Sequence, residues 1–283
     1  MTRKKIWFVT GASKGLGLSL VQQLLANGYA VAASSRNLAE LKKAVPLEKD
    51  TFLPLEMDLS KEESVRDAIK ATVDTLGGLD VVVNNAGYGQ LGALEEISDQ
   101  EAHQNFEINV FGILNVLRQA TPYLREQGYG RVFTMSSSVG FMGNFSGWGM
   151  YAATKFAAAG LSESYAAEVK QFGIQVTIVY PGSFRTDFLT AESLGLPQKS
   201  IPAYHTIHEQ VEQAQQFQGK QPGSPIKAAN VLIQVSEADT PPLHLFLGED
   251  AYYLAEQKLA AVQFDMKKWQ NEGNSTDFTI EEI

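Results

Sequence analysis

Short runs of β-favouring, largely apolar residues recur along the chain, most of them separated by stretches of helical spacing. This alternation constrains the fold more than any other feature. The runs cover 6–10, 29–34, 51–57, 79–84, 131–136, 175–180 and 244–247, and amphipathic stretches cover 16–27, 38–45, 61–76, 98–126 and 151–172. Strands that are apolar along most of their length need cover on both faces, which calls for a parallel sheet between layers of helices. Right-handed crossovers then make an α/β, doubly wound sheet of about seven strands, with ligands bound at the carboxyl ends of the strands.

After residue 180 the rhythm breaks. The segment 184–225 shows no strand pattern, carries prolines at 197, 202, 222 and 225, and includes a Gln-rich helical stretch over 205–218. So long a connection in a compact fold is often functional and reads as a lid. The polar ending 271–283 reads as a loosely held tail, so the expected organisation is a single domain over 1–270 with its lid at 184–225. With 283 residues, 44% apolar and 19% charged, the chain can bury a sizeable core. Its net charge of −9, with no long Lys/Arg run, argues against nucleic acid or an anionic membrane surface as partner. The absence of cysteine excludes disulfides, iron–sulfur clusters and a thiol nucleophile, and fits a cytoplasmic setting. The start is basic and then apolar, but the apolar run stops at Thr10-Gly11, too short for a secretion signal, and reads as a buried strand. No stretch of ~18 uninterrupted apolar residues suits a membrane span.

The first strand runs into Gly11-Ala12-Ser13-Lys14-Gly15-Leu16-Gly17 and then a helix. Glycines let a backbone turn tightly and approach a pyrophosphate, whose charge the helix N-terminus favours. The spacing is GxxxGxG, neither the common GxGxxG nor a P-loop. The second strand ends in Ser34-Ser35-Arg36. A dinucleotide fold that takes NAD usually carries an acid there for the ribose 2′-hydroxyl. Here serine and arginine take its place, and with Lys14 two cations could flank a 2′-phosphate, which favours NADP(H). Further along, Tyr151 and Lys155 stand four residues apart ahead of good helix formers, so a phenol and an ammonium share one helix face. A neighbouring positive charge lowers a phenol pKa from about 10, which would make Tyr151 a general acid/base.

Taken together these motifs resemble the one-domain, Rossmann-type short-chain dehydrogenase/reductase family, from about residue 5 to 188 and more weakly beyond. Asp58 in Met57-Asp58-Leu59 is similar to the family's adenine-binding acid. Asn84-Asn85-Ala86-Gly87 matches its NNAG signature beside the cofactor, Asn109 its active-site helix asparagine, and Pro181-Gly182 with Thr186 its nicotinamide-side turn. The continuation after Lys155 and the stretch 241–248 look like bacterial members near the retinol and hydroxysteroid dehydrogenase branch. The resemblance implies an NADP(H)-dependent oxidoreductase that interconverts a carbonyl and an alcohol. Tyr151 would pass the proton, Lys155 would also bond the nicotinamide ribose, and Asn109 would hold a water linking Lys155 to solvent. Relatives are often homodimers or homotetramers built on helices equivalent to 98–126 and 151–172.

Family members place the oxyanion-binding serine some thirteen residues before the tyrosine, which selects Ser138. Alignment on serine–serine–x–x–glycine selects Ser137 instead; Ser138 is preferred. Phe184, Phe188, Leu189, Leu194 and Leu196 of the lid, with Phe141, Met142, Phe145 and Trp148, imply an apolar pocket and a lipophilic substrate. Arg185 is expected to pair with Asp187. His205, His208 and Glu209 lack a further ligand set and read as solvated, so no metal site is expected. Glu62-Glu63 and Glu95-Glu96 read as structural acids at loop or helix starts. Two rival functions remain on such a fold: an NADP-sensing binding protein, and a sugar-nucleotide epimerase or dehydratase.

Overall fold

In the computed structural model, residues 4–47 and 49–278 are described. Along the chain they form β1 (Ile6–Thr10), α1 (Gly15–Ala26), β2 (Ala30–Ser35), α2 (Leu38–Ala44), β3 (Phe52–Glu56), α3 (Glu62–Leu76), β4 (Val81–Asn84) and β5 (Gly89–Gln90). There follow α4 (Asp99–Phe106), α5 (Gly112–Gln127), β6 (Gly130–Met135), α6 (Gly149–Val169), β7 (Ile174–Pro181) and β8 (Leu194–Gly195). The order ends with α7 (His205–Gln216), α8 (Pro225–Glu237), β9 (His244–Leu247) and α9 (Glu249–Asn274). Seven strands form one parallel sheet in the order β3-β2-β1-β4-β6-β7-β9. The direction of winding reverses between β1 and β4, which opens a crevice at their carboxyl ends.

Alternation along the strands builds a core on each face. Trp7 and Val9 of β1 pack with Leu20, Val21 and Leu24 of α1 and with Ala228 and Leu232 of α8. Phe8, between them, faces the other way, into the layer of α3, α5 and α6. β1 is buried throughout, and the Trp7 ring stacks on Phe133 of β6 at 6.1 Å.

The seven main strands lie within two residues of their expected places. Four features differ. The stretch 98–126 is not one α-helix: a π-helical turn at Glu107–Phe111 separates α4 from α5. The lid does contain a strand, since β8 pairs with β5 over two residues. The helices α8 and α9 had no expected counterpart. α8 holds Ala228, Ala229 and Leu232 buried in the core beside α1. The expected tail boundary at 271 falls inside the last turns of α9, and residues 279–283 lie outside those described.

Candidate active site

Two turns meet at the reversal point and hold each other. Thr10 Oγ1 accepts from the backbone N–H of Asn85 and of Ala86, both at 3.0 Å. Asn85 Nδ2 donates back to the carbonyls of Thr10 and Gly11, each at 2.9 Å. Gly11 (φ +65°) is required here, because a Cβ would lie 2.7 Å from the Ala86 Cα. Gly17 packs equally close on the Asn85 side chain, with no room for a Cβ. The N-terminus of α1 has no side-chain cap, so its first N–H groups face the crevice, a ready site for an anion.

A cleft of about 800 Å³ runs from this turn across the sheet ends. Gly11, Ser13, Lys14, Gly15 and Leu16 line it from the first turn, and Ser35 and Arg36 from the end of β2. Leu59, then Asn85, Ala86 and Gly87 follow, with Pro181, Gly182 and Thr186 at the far end. Ser35 Oγ donates to Ser13 Oγ at 3.2 Å, tying the two phosphate-side turns together. Lys14 Nζ lies 3.7 Å from the exposed carboxylate of Glu192. Two expected cofactor residues stand back from the lining. Gly17 lies beneath it, and Asp58 is occupied by the turn before α3, accepting from Ser60 and lying 3.5 Å from Lys61.

At the other end α6 presents Tyr151 and Lys155, both buried. Lys155 Nζ lies 5.7 Å from the centre of the Tyr151 ring and donates to the Met135 carbonyl at 2.7 Å. Burial disfavours both charged forms. It pushes the Tyr151 phenol well above its ordinary value of 10.0, an effect that a hydrogen bond with Ser137 partly offsets. It also pushes Lys155 down to about 8. The expected lowering of the phenol by its lysine is therefore outweighed here, because the two groups share a site closed over by Trp148 and Phe188, whose rings lie 6.0 and 5.4 Å from the tyrosine.

Both candidate serines line the cleft, and Ser137 is the one whose side chain acts on the Tyr151 phenol, partly offsetting the effect of burial. Ser137 is the extended residue after β6, and its Oγ also accepts from the Val139 N–H at 3.3 Å. Ser138 opens the short helical turn that follows, and its carbonyl accepts from Phe141 and Met142. Asn109, at 0% exposure, stands behind the cleft. Its Oδ1 accepts from the Tyr88 N–H at 3.1 Å, and its Nδ2 donates to the Tyr88 carbonyl at 2.9 Å and to Thr154 Oγ1 at 3.0 Å. The π turn rotates it inward, and only Gly87, with no side chain, separates it from Lys155.

Of the nine apolar residues expected around the substrate, Phe145, Trp148, Phe184, Phe188 and Leu189 line the cleft. Phe141 packs instead on Tyr180 and Phe246, Leu194 lies in the core under the lid, and Leu196 is exposed. Met142 is not among the lining residues. Arg185 donates from Nε to the Gln221 carbonyl at 3.1 Å; the expected pair with Asp187 is not among the ion pairs of the described residues. Sequence reasoning missed Asp250 in the first turn of α9, which lines the cleft and accepts from the Ser183 N–H at 2.7 Å. The acid beside the N-terminus of a helix, just after Gly248, was the available signal. His208 is not a free surface side chain: its Nε2 lies 2.7 Å from Glu96 Oε1. Among the described residues no group of three or more His, Asp or Glu could hold a metal, and no helix is long and apolar enough to cross a membrane.

Fold and cleft together define a dinucleotide-binding α/β protein with a buried tyrosine–lysine pair, and the known proteins it matches fit that class. Residues 5–195 match the short chain dehydrogenase family. The chain is 34% identical over 267 residues to oxidoreductase BOA17 of Botryotinia fuckeliana, covering 94% of this chain and 97% of that one. A short-chain dehydrogenase structure from Streptomyces avermitilis superimposes with a TM-score of 0.88 at 34% identity, covering 96% of this chain and all (100%) of that one. An alcohol dehydrogenase from Thermococcus sibiricus, complexed with 5-hydroxy-NADP, superimposes at 0.71 with 27% identity, covering 86% and 96%. The protein belongs to the short-chain dehydrogenase family and is an oxidoreductase of that family.

Proposed function

We propose that this protein is an NADP(H)-dependent oxidoreductase that interconverts a lipophilic ketone or aldehyde and the corresponding alcohol. The observation that carries this reading is the buried Tyr151–Lys155 pair with Ser137 on the phenol, at the closed end of a cleft that begins at an uncapped helix N-terminus. The cleft fits a nicotinamide dinucleotide: Gly11 and Gly17 let the first turn pack tightly on Ala86 and Asn85, and α1 offers its first N–H groups to a pyrophosphate. The similar alcohol dehydrogenase structure complexed with 5-hydroxy-NADP supports the same cofactor class.

Ser13, Gly15 and Leu16 would hold the pyrophosphate, Lys14 and Arg36 a 2′-phosphate, and Ala86, Gly87, Pro181, Gly182 and Thr186 the inner half. When bound, the nicotinamide supplies the hydride. The chain's own residues handle the proton. Tyr151, protonated well past neutral pH, donates to the carbonyl oxygen as negative charge develops there. Ser137 rather than Ser138 takes the role of hydrogen-bonding that oxygen, since Ser137 already reaches the tyrosine hydroxyl. Lys155 holds a positive charge beside the phenol and would bond the ribose. Asn109, braced by the Tyr88 backbone and Thr154, fixes the wall behind the lysine.

Phe145, Trp148, Phe184, Phe188 and Leu189 surround the polar corner, which favours a hydrophobic substrate. Association of identical chains through the faces of α6 and of the π turn that leads into α5, where Phe156 and Phe111 are exposed, is part of the same proposal. Consumption of NADPH against a panel of cyclic ketones, aldehydes and keto acids tests the reading. An absence of turnover with every carbonyl, alongside tight NADPH binding, would favour the non-catalytic binding protein instead.

A further inference from the structure

Glu96 is a carboxylate with no solvent exposure, outside the cleft and unused by the chemistry above. It sits between β5 and α4, on the core side, and its partners come mainly from the lid. Oε1 accepts from the Ile201 N–H at 2.6 Å and lies 2.7 Å from His208 Nε2, while Oε2 accepts from its own loop at Ala93. Burying a carboxylate is unfavourable unless hydrogen bonds replace its water, so the lid residues complete a site that the core alone leaves unsatisfied.

We propose that Glu96 is a positioning residue that holds the lid closed over the substrate end of the cleft. Its two neighbouring acids act in the same sense. Glu95 accepts from the Tyr204 hydroxyl at 2.7 Å, and Glu101 from the Gln198 N–H at 3.0 Å. Three carboxylates on one short segment of the core thus grip residues 198–208 of the lid. The grip is passed on through α7. His208 stands one turn before Val211, which packs with Leu91, Leu194 and Trp148 beneath the lid. Ala214 and Phe217, one and two turns further, line the cleft itself. Releasing Glu96 would therefore loosen the wall against which a substrate packs, and leave the phosphate-side turns and the Tyr151–Lys155 pair in place. The effect on substrate affinity rests on the oxidoreductase reading above; the effect on the lid does not.

The test compares the unmodified chain with Glu96→Gln, Glu96→Ala and His208→Ala. The last removes the lid-side partner without touching the buried carboxylate, so it stays informative if Glu96→Ala folds poorly. Amide hydrogen exchange over 197–217 should quicken by about tenfold in His208→Ala, the loss of one charge-assisted bond. It should quicken by more in Glu96→Ala, which removes the acceptors for Ile201, His208 and Ala93 together. Glu96→Gln, whose single amide oxygen can keep Ile201 but turns its NH2 toward Ala93, should fall below Glu96→Ala. KM for the carbonyl substrate should rise with it, while kcat and NADPH affinity stay unchanged. Exchange in the lid that matches the unmodified chain would overturn the proposal, as would a fall in NADPH affinity in step with the rise in KM. If the unmodified chain turns over no carbonyl, the oxidoreductase reading fails by itself and the exchange data still decide the latch.

Discussion

Lys155 sits one helical turn from Tyr151, its Nζ 5.7 Å from the phenol ring centre, and donates to the carbonyl of Met135 at the end of β6. Both are shut away from water, and a buried ammonium loses its proton more readily than an exposed one. Lys155 should therefore titrate near 8 in the folded protein, against 10.5 when exposed. The proton comes off as pH rises, so kcat/KM for carbonyl reduction should be level below that pH and fall above it. Lys155→Met should lose this limb along with most activity. The sign for stability is the opposite. Between 8 and 10.5 the unfolded chain holds the extra proton, so this group makes folding more favourable as pH rises, by up to about 3 kcal/mol. Above pH 10 Tyr151, which holds its proton more tightly when folded, works in the other direction. Urea denaturation of unmodified protein and Lys155→Met on either side of pH 8 checks this.

The two serines separate cleanly by mutation. Ser137→Ala removes the hydroxyl that meets Tyr151 and should lower kcat by about 100-fold, the scale for losing one oxyanion donor. Ser138→Ala should leave most of the activity. Steady-state kinetics of both variants decides, and the reverse ranking would restore the role to Ser138.

Cofactor choice depends on the end of β2. Ser35→Asp combined with Arg36→Ala supplies an acid for a ribose hydroxyl and removes a cation from the cleft lining. Preference should move from NADPH toward NADH by roughly ten- to a hundredfold, the scale of one charge-assisted contact. Fluorescence titration with both cofactors measures it. Equal affinities in the unmodified protein would contradict the account without any variant.

The cleft's apolar wall predicts that a hydrophobic cyclic ketone has a higher kcat/KM than a charged keto acid. Phe188, whose ring lies 5.4 Å from that of Tyr151, should matter most. Phe188→Ala should raise KM for the cyclic ketone and leave NADPH affinity unaltered. A preference for the keto acid would contradict the apolar-wall reading.

Much of the fold and the centre of the site are legible in the amino-acid sequence. The fully buried run of β1, apolar up to Thr10 and followed by Gly11, Gly15 and Gly17, suits a dinucleotide turn, and Tyr151 and Lys155 can only share a face of α6. The features that escape such a reading depend on backbone detail or on distant pairs. A π turn adds one residue to a helix without altering the residue types around it, so the inward rotation of Asn109 leaves no mark in the spacing. Counting back from the tyrosine to Ser138 takes no account of backbone conformation, and Ser137, on extended backbone, lines the same cleft. Glu96 and His208 stand 112 residues apart, and neither carries a local sign of the other. Asp250 likewise reads as an ordinary acid at a helix start until Ser183 is seen bonded to it.

The most direct test of the central claim is Tyr151→Phe, which keeps the ring between Trp148 and Phe188 and removes only the hydroxyl. NADPH oxidation is followed with a ketone that the unmodified protein reduces, alongside NADPH binding by fluorescence. Turnover should fall at least ~100-fold with cofactor affinity retained, as expected when a general acid is lost. Near-normal turnover by Tyr151→Phe would contradict the assignment of Tyr151 as the proton donor.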